Sequence, residues 1–174
     1  PEYRDTIGDI IHRNHPGYGS LTYRDETGRN DIINCKSTYD DENVYFYVET
    51  SNNISPPTDP HWMLLLLDTD QQAGTGWLGY DYVINDEILG VTETTVKKWE
   101  NNAWQTVGTA RMALGERGLE LAIPRKRIGM DRGAPCFDFH WADNIPGYGD
   151  VSVVGVHGDS APNRRWNYRL LPKE

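Results

Sequence analysis

Little in this sequence can cross-link, span a membrane or grip a phosphate backbone. Only two cysteines occur among 174 residues. Cys35 and Cys136 fall in separate strand-like runs, and a disulfide or two buried thiols would explain them equally well. No apolar stretch approaches the length of a membrane span and no signal peptide is visible, so membrane insertion is not expected. Basic residues cluster only at Arg125-Lys126-Arg127 and Arg164-Arg165, against a formal net charge of -9, which argues against nucleic acid as a partner. An acidic excess of this kind suits metal binding, or solubility outside the cell. Catalytic signatures are missing as well: there is no nucleophile elbow, zinc-ligand spacing or phosphate loop. Nor does any strand carry the paired carboxylates, in an E-x-D-x-x-E run, that a sandwich glycoside hydrolase would use. The domain itself is therefore not expected to be an enzyme.

Helical periodicity is also scarce, with no convincing amphipathic stretch of three turns. What is present is alternation. Val44, Phe46 and Val48 alternate with Tyr45, Tyr47 and Glu49; Leu119, Leu121 and Ile123 with Glu120 and Ala122; Phe137, Phe139 and Trp141 with Asp138 and His140; and Trp166, Tyr168 and Leu170 repeat the pattern near the end. Further strands are expected near 21–25, 31–39, 61–68, 79–85, 91–99, 103–114 (as two strands) and 151–157. Turn residues separate them, among them Asp40-Asp41-Glu42-Asn43, Ser55-Pro56-Pro57 and Gly115-Glu116-Arg117-Gly118, while Asn101-Asn102 suits a hairpin joining Trp99 to Trp104. About ten short strands at this spacing predict an all-β fold, an antiparallel β-sandwich with at most one short helical turn, placed at Pro124 to Met130. The length suits a single domain over 1–174, with 1–20 an irregular lead-in packed on the sandwich. The chain opens Pro-Glu-Tyr without an initiator Met, as a processed protein or a module excised from a longer one would.

The stretch LLLLDTDQQAGTGWLGYDYVIN, Leu64 to Asn85, drives the most apolar strand into three aspartates. Asp68 and Asp70 point to one side of an extended strand, and a tight turn through Gly74 to Gly76 would return Asp81 beside them. Hard carboxylates, a side-chain amide such as Gln72 and free turn carbonyls are what Ca²⁺ prefers. The spacing is not that of an EF-hand, since Ala73 stands where its glycine should be. A solvated acidic turn is the competing reading; a structural calcium on Asp68, Asp70, Gln72 and Asp81 is the one favoured.

These residues also carry a resemblance. LLLLDTDQQAGTGWLGYDYVIN, LELAIPRKRIG and FDFHWADN, in that order, look like family 9 carbohydrate-binding modules and their DOMON-like relatives. Those are β-sandwiches in which a D-x-D strand end leads to a Gly-Tyr-Asp strand and an I-P-x-x-x-[IL]-G segment follows. The likeness spans roughly residues 30–157. The lead-in GDIIHRNHPGYGSLTYRDETGRND and the tail GDSAPNRRWNYRL look like a subgroup attached to extracellular polysaccharide-degrading enzymes. The resemblance implies a non-catalytic module that binds polysaccharide or oligosaccharide, with calcium supporting its fold. It also implies a covalently linked catalytic domain such as a glycoside hydrolase, in a secreted or cell-surface parent. The module is expected to be monomeric.

Sugar binding needs flat rings for the apolar faces of pyranoses and planar polar groups for their hydroxyls. Trp77 and Tyr80 sit in the glycine-rich turn; Trp141 is followed by Asp143, Asn144 and Tyr148. These six are the expected carbohydrate-binding residues. For Trp141 the competing reading is core, since it continues the Phe137/Phe139 face, and Trp77 has the alternative of covering the metal turn. Trp99 and Trp104 form a separate alternative platform. His12 and His15 read as polar surface, Arg29-Asn30-Asp31 as a structural network in which Arg29 has the alternative of reaching a sugar hydroxyl, and Arg164 and Arg165 as salt-bridging surface. Two other classes stay open. The DOMON side implies a haem-binding electron-transfer domain, for which Met63, Met130 and His157 are available as ligands. A structural interaction module would bind no sugar at all.

Overall fold

Leu64, Leu65, Leu66 and Leu67 have no exposed surface, and the rest of the chain is arranged on the two sides of the strand they form. The computed structural model describes residues 1–10, 13–17, 19–149, 153–164 and 166–172. The strands are β1 (Glu2–Arg4), β2 (Arg13–Pro16), β3 (Thr22–Asp25), β4 (Ile32–Tyr39), β5 (Asn43–Thr50), β6 (Leu64–Asp68), β7 (Tyr82–Gly90), β8 (Glu93–Glu100), β9 (Ala103–Leu114), β10 (Gly118–Pro124), β11 (Phe137–Asp143), β12 (Asp159–Ala161) and β13 (Tyr168–Leu170). All but β2 and β3, which pair with each other, join one antiparallel sheet. Its order is β1-β4-β5-β10-β9-β8-β7-β6-β11-β12, with β13 beside β12 on the same edge of β11.

The sheet curls into a half-barrel, giving the all-β, sandwich-like fold expected of the alternating pattern. Its inner face carries Val44, Phe46 and Val48 of β5, Leu119, Leu121 and Ile123 of β10, Leu65 and Leu67 of β6, and Phe137, Phe139 and Trp141 of β11. Each such apolar side chain contributes about 1.5–3 kcal/mol on full burial. The curled ends meet through side chains. Tyr3 of β1 packs on Phe139 at 5.1 Å and Tyr168 at 4.8 Å, and its hydroxyl donates to the Arg169 carbonyl. The Ile32 N–H donates to Asp159 across the same gap at 2.7 Å. On the other side of β6, Leu64 and Leu66 pack with Trp77, Tyr80, Val83, Ala142, Ile145, Val153 and Val154. A strand covered on both faces needs no polar alternation, which accounts for the unbroken leucine run.

Local chemistry explains the best-matched connections. Asn101 and Asn102 both take positive φ, 53° and 59°, the backbone of the two-residue hairpin turn that asparagine tolerates, and Trp99 stands opposite Trp104. The expected turn after Pro124 is a 3-10 turn at Arg125–Arg127. Four expectations change. Residues 103–114 form one strand rather than two, because a bulge between Val96 and Lys97 in the pairing absorbs an extra β9 residue without ending it. The expected strand over 151–157 is a single helical turn, α1 (Val153–Val156), within the described residues. A strand would send Val153 and Val154 to opposite faces, whereas both enter the cluster around Leu64. The lead-in is irregular only in part: β1 extends the sheet beside β4 and β2 pairs with β3, while residues 5–10 are turn and coil. Trp166 lies outside β13 and is 75% exposed. Cys35 and Cys136 are both free thiols.

His140 of β11 is fully buried; its Nδ1–H donates to the Trp166 carbonyl at 2.9 Å and its Nε2 has no partner. Burial pushes its pKa down to about 4, against the weaker upward pull of that carbonyl. Between about pH 6.5 and 4 the unfolded chain therefore takes up a proton that the folded chain refuses at this site, and the contribution of His140 to stability falls as pH falls through that window, opposite in sign to that of carboxyls raised by burial such as Asp5 and Asp68. His140→Gln, which cannot titrate, is expected to lose about 1–2 kcal/mol at pH 7 through poorer packing, yet to decline less than wild type between pH 6.5 and 4.5. Urea melts at the two pH values check this; parallel declines would count against it.

Candidate functional site

The end of β6 and the start of β7 are joined by the acidic turn, and its backbone decides where the carboxylates go. Gly76 has φ 60°, and a Cβ there would stand 2.2 Å from the Tyr80 carbonyl oxygen, so only glycine permits the reversal. Trp77 and Tyr80 exchange main-chain hydrogen bonds across it, and the Asp81 N–H donates to the Leu67 carbonyl. Asp81 thus returns beside Asp68 and Asp70, and one oxygen from each lies within 4.8 Å of the others. The Thr69 N–H and hydroxyl donate to Asp81 at 2.8 and 2.7 Å; the Gln72 N–H and the Thr75 hydroxyl donate to Asp70 at 2.9 and 3.0 Å. Burial, followed by the charges of Asp81 and Asp70, raises the Asp68 carboxyl to about 6 against the Gln71 and Gln72 amides. Among the described residues no Lys or Arg forms an ion pair with any of the three. The donor set, hard oxygens without a direct ion pair, fits a divalent cation. Gln72 meets the carboxylates by its backbone, through an N–H, a donor that cannot ligate a cation, while the residue is exposed.

A second carboxylate triad was not legible beforehand. Asp5, Asp9 and Asp159 also bring oxygens within 4.8 Å of one another. The Asn163 amide donates to Asp5 at 3.1 Å and to Asp9 at 2.6 Å, while one buried oxygen on each of these aspartates has no partner. Burial raises Asp5 to about 6 and Asp159 to about 8. Asp5 and Asp9 flank Gly8 in a short segment, a visible signal, but Asp159 reaches them only because β12 folds back beside β4.

The aromatic candidates separate into rings with and without a face to offer. Trp77 packs against Tyr148 at 5.1 Å and Trp104 at 6.1 Å; Trp104 meets Trp99 at 5.1 Å and Tyr148 at 5.5 Å; His61 stands edge-on to Tyr148 at 5.2 Å. Trp77, Tyr80 and Tyr148 of the expected sugar site and the alternative pair Trp99 and Trp104 thus meet in one cluster, without Trp141, Asp143 or Asn144. Within it Trp77 and Tyr80 are buried, with the Trp77 indole N–H donating to the Gly149 carbonyl and the Tyr80 hydroxyl to Asn167, whereas Trp99, Trp104 and Tyr148 are half-buried. Polar groups edge the rings. The Tyr148 hydroxyl donates to Asp86, and Lys97 bridges Asp86 and Glu87, all at 2.5 Å. His61, Asp86 and Lys97 were missed by sequence reasoning, because nothing local marks residues that converge from three separate segments.

Trp141 has no exposed surface, and a ring with both faces in the core cannot stack on a sugar. Asp143 is equally buried. It accepts from Arg29 Nε at 3.0 Å, Asn30 Nδ2 at 3.0 Å and the Met63 N–H at 2.9 Å, and Arg29 also pairs with Asp59. That constellation is a structural network, and Asp143 has no oxygen to spare for a ligand. Asn144 donates to the Thr27 hydroxyl at 3.0 Å, which ties the β11 end to the β3 side of the molecule. Met63 fills the core with no exposed surface, the role a flexible thioether takes without a ligand, and Met130 packs against the same core. His15 packs on Tyr23; His12 and Arg165 lie outside the described residues.

No protein-family model, no curated protein and no solved structure matches this chain. The likeness to family 9 carbohydrate-binding modules and DOMON-like domains rests on the quoted motifs alone.

If a cation holds either triad, chelator-treated protein melts lower than protein in calcium. At a hundredfold excess over Kd, binding adds about 2.7 kcal/mol, or roughly 5–10 °C for a chain of this length. Differential scanning calorimetry of wild type, Asp70→Asn and Asp9→Asn separates the triads, since the calcium-dependent rise should shrink only in the variant whose site is occupied. An identical melt with and without calcium would remove both sites from consideration.

Proposed function

We propose that this domain is a non-catalytic carbohydrate-binding module, stabilised by calcium at the Asp68/Asp70/Asp81 turn. It would serve to hold a larger extracellular polysaccharide-degrading enzyme on its substrate. The observation that carries this reading is the cluster of half-buried rings, Trp99, Trp104 and Tyr148, backed by buried Trp77 and fringed by Asp86, Glu87 and Lys97. Such a surface pairs apolar ring faces with fixed polar groups, the two things a pyranose presents in turn. The acidic turn adds support from a second direction. It anchors Trp77 beneath the cluster, so that an ion binding there would stiffen the platform as well as the strand end. The quoted motifs agree with both parts.

Titration of the intrinsic tryptophan fluorescence with a panel of plant and microbial oligosaccharides, in calcium, tests the reading. A saturable change is expected, with affinity at least tenfold weaker in Trp104→Ala or Trp99→Ala, a loss of about 1.4 kcal/mol or more. Silence across the panel from a protein that still melts normally would favour a structural spacer instead.

A further inference from the structure

The outward face of the sheet across β4, β5, β10 and β9 is not simply solvated. Where β4, β5, β10 and β9 lie side by side, their inward residues fill the core, and the alternate residues line a groove of about 720 Å³. Register sets these residues in two rows. One row runs Lys36, Tyr47, Glu120, Ala113; the next runs Thr38, Tyr45, Ala122, Arg111. The two alanines keep the floor low on β9 and β10, and the two tyrosines stand together on β5. Both rings are held. The Tyr45 hydroxyl donates to Asp40 at 2.6 Å, and Tyr47 lies across Gly118, where a Cβ would stand 2.6 Å from the ring. Rings immobilised before binding lose little entropy on contact with a ligand.

Charge gives the groove its direction. In a chain of net charge -9, Arg29, Lys97, Lys98, Arg117 and Arg169 each meet a carboxylate. Lys36 and Arg111, at opposite corners of the two rows, form no ion pair among the described residues, as is also true of Lys126, Arg127 and Arg132, but these two line the groove. Lys36 rests 5.8 Å from the Tyr47 ring centroid, and Arg111 stands in register with Glu93 without pairing to it. Three interstrand spacings and a two-residue step along the strands separate the corners, about 16 Å on the diagonal, the span of a short oligosaccharide. Among the described residues Glu120, between them, is the one acidic lining residue, suited to accepting hydrogen bonds from sugar hydroxyls and adverse to a carboxylate at that point.

We propose that this groove is a second glycan site, selective for uronate-bearing chains. Tyr45 and Tyr47 stack on sugar rings, and Lys36 and Arg111 take carboxylates at the two ends, the guanidinium by a paired hydrogen bond that an ester cannot accept in the same way. The inference rests on the carbohydrate-binding reading but uses none of the residues that carry it.

Calorimetric titration of the full chain with trisaccharides of galacturonate, glucuronate and mannuronate, beside their methyl esters, tests it. At least one uronate is expected to bind, its methyl ester at least tenfold more weakly, with affinity falling as salt rises. Arg111→Gln and Lys36→Gln, both exposed and checked by melting temperature, should each weaken binding about tenfold or more, and Trp104→Ala should leave it unchanged. Uronate silence, equal binding of the esters, or loss in Trp104→Ala but not in the cation variants would overturn the groove. Neutral oligosaccharides bound through Trp104 with uronates silent would leave the module reading intact and remove only this site. Uronate binding lost in Arg111→Gln, with every neutral sugar silent, would keep the groove and remove the aromatic platform.

Discussion

The structure depends on a strand that has no polar side. Leu64 to Leu67 must be covered from both faces, and the curled sheet can cover only one. The other requires an additional layer, and the chain supplies it from the turn carrying Trp77 and Tyr80 and from the segment carrying Ile145, Val153 and Val154. Leu64 and Leu66 face this layer, and their burial, at about 1.5–3 kcal/mol each, adds to that of Ile145, Val153, Val154 and the two rings in holding these irregular segments in place. A layer built from loops is also where side chains from distant parts of the chain are brought together, and the ring cluster is a product of that requirement.

Charge is managed around the same strand. β6 ends on Asp68, whose neighbours Asp70 and Asp81 are brought close by a turn that only glycine allows at position 76. Hydrogen bonds from main-chain amides and from the Thr69 and Thr75 hydroxyls offset part of the repulsion. At the strand's other end Asp143 accepts the Met63 N–H and holds Arg29 and Asn30, so an anion is paired where no solvent reaches. Removing Arg29 would strand that carboxylate in the interior, the costly kind of loss for a buried pair. Two aspartates that look alike in sequence thus take different parts, one fully partnered within the fold and the other in a cluster with charge to spare.

The aromatic cluster and the uronate groove draw on opposite features of the fold. The cluster lies over the added layer, and its half-buried rings are supported by other rings. The groove lies on the sheet surface, bordered by Pro1 and Thr92, where strict alternation sets core residues between Tyr45, Tyr47, Lys36 and Arg111 at nearly fixed spacing. Sites on regular strands are rigid because their backbone is already paired on both sides, whereas the cluster draws part of its packing from the turn that carries Trp77.

Much of the fold was legible because it is local. Period-two alternation marked β5, β10 and β11, paired asparagines marked the Trp99/Trp104 hairpin, and the unbroken leucines marked a doubly covered strand. Asp68, Asp70 and Asp81 were legible for the same reason, being joined by a single short turn. Trp141 was read as a sugar platform and proved to be core, because alternation tells which residues share a face but not which face is inside. Val153 and Val154 read as strand and formed a helical turn, because a cluster distant in sequence needed both on one side. The convergence of Asp159 with Asp5 and Asp9, of Trp104 with Tyr148, and of Lys36 with Arg111 across three strand boundaries was decided by tertiary structure alone. Each depends on which strands pair and how the sheet curls, and that is set by the summed burial of the whole core, not by any residue's neighbours in the chain.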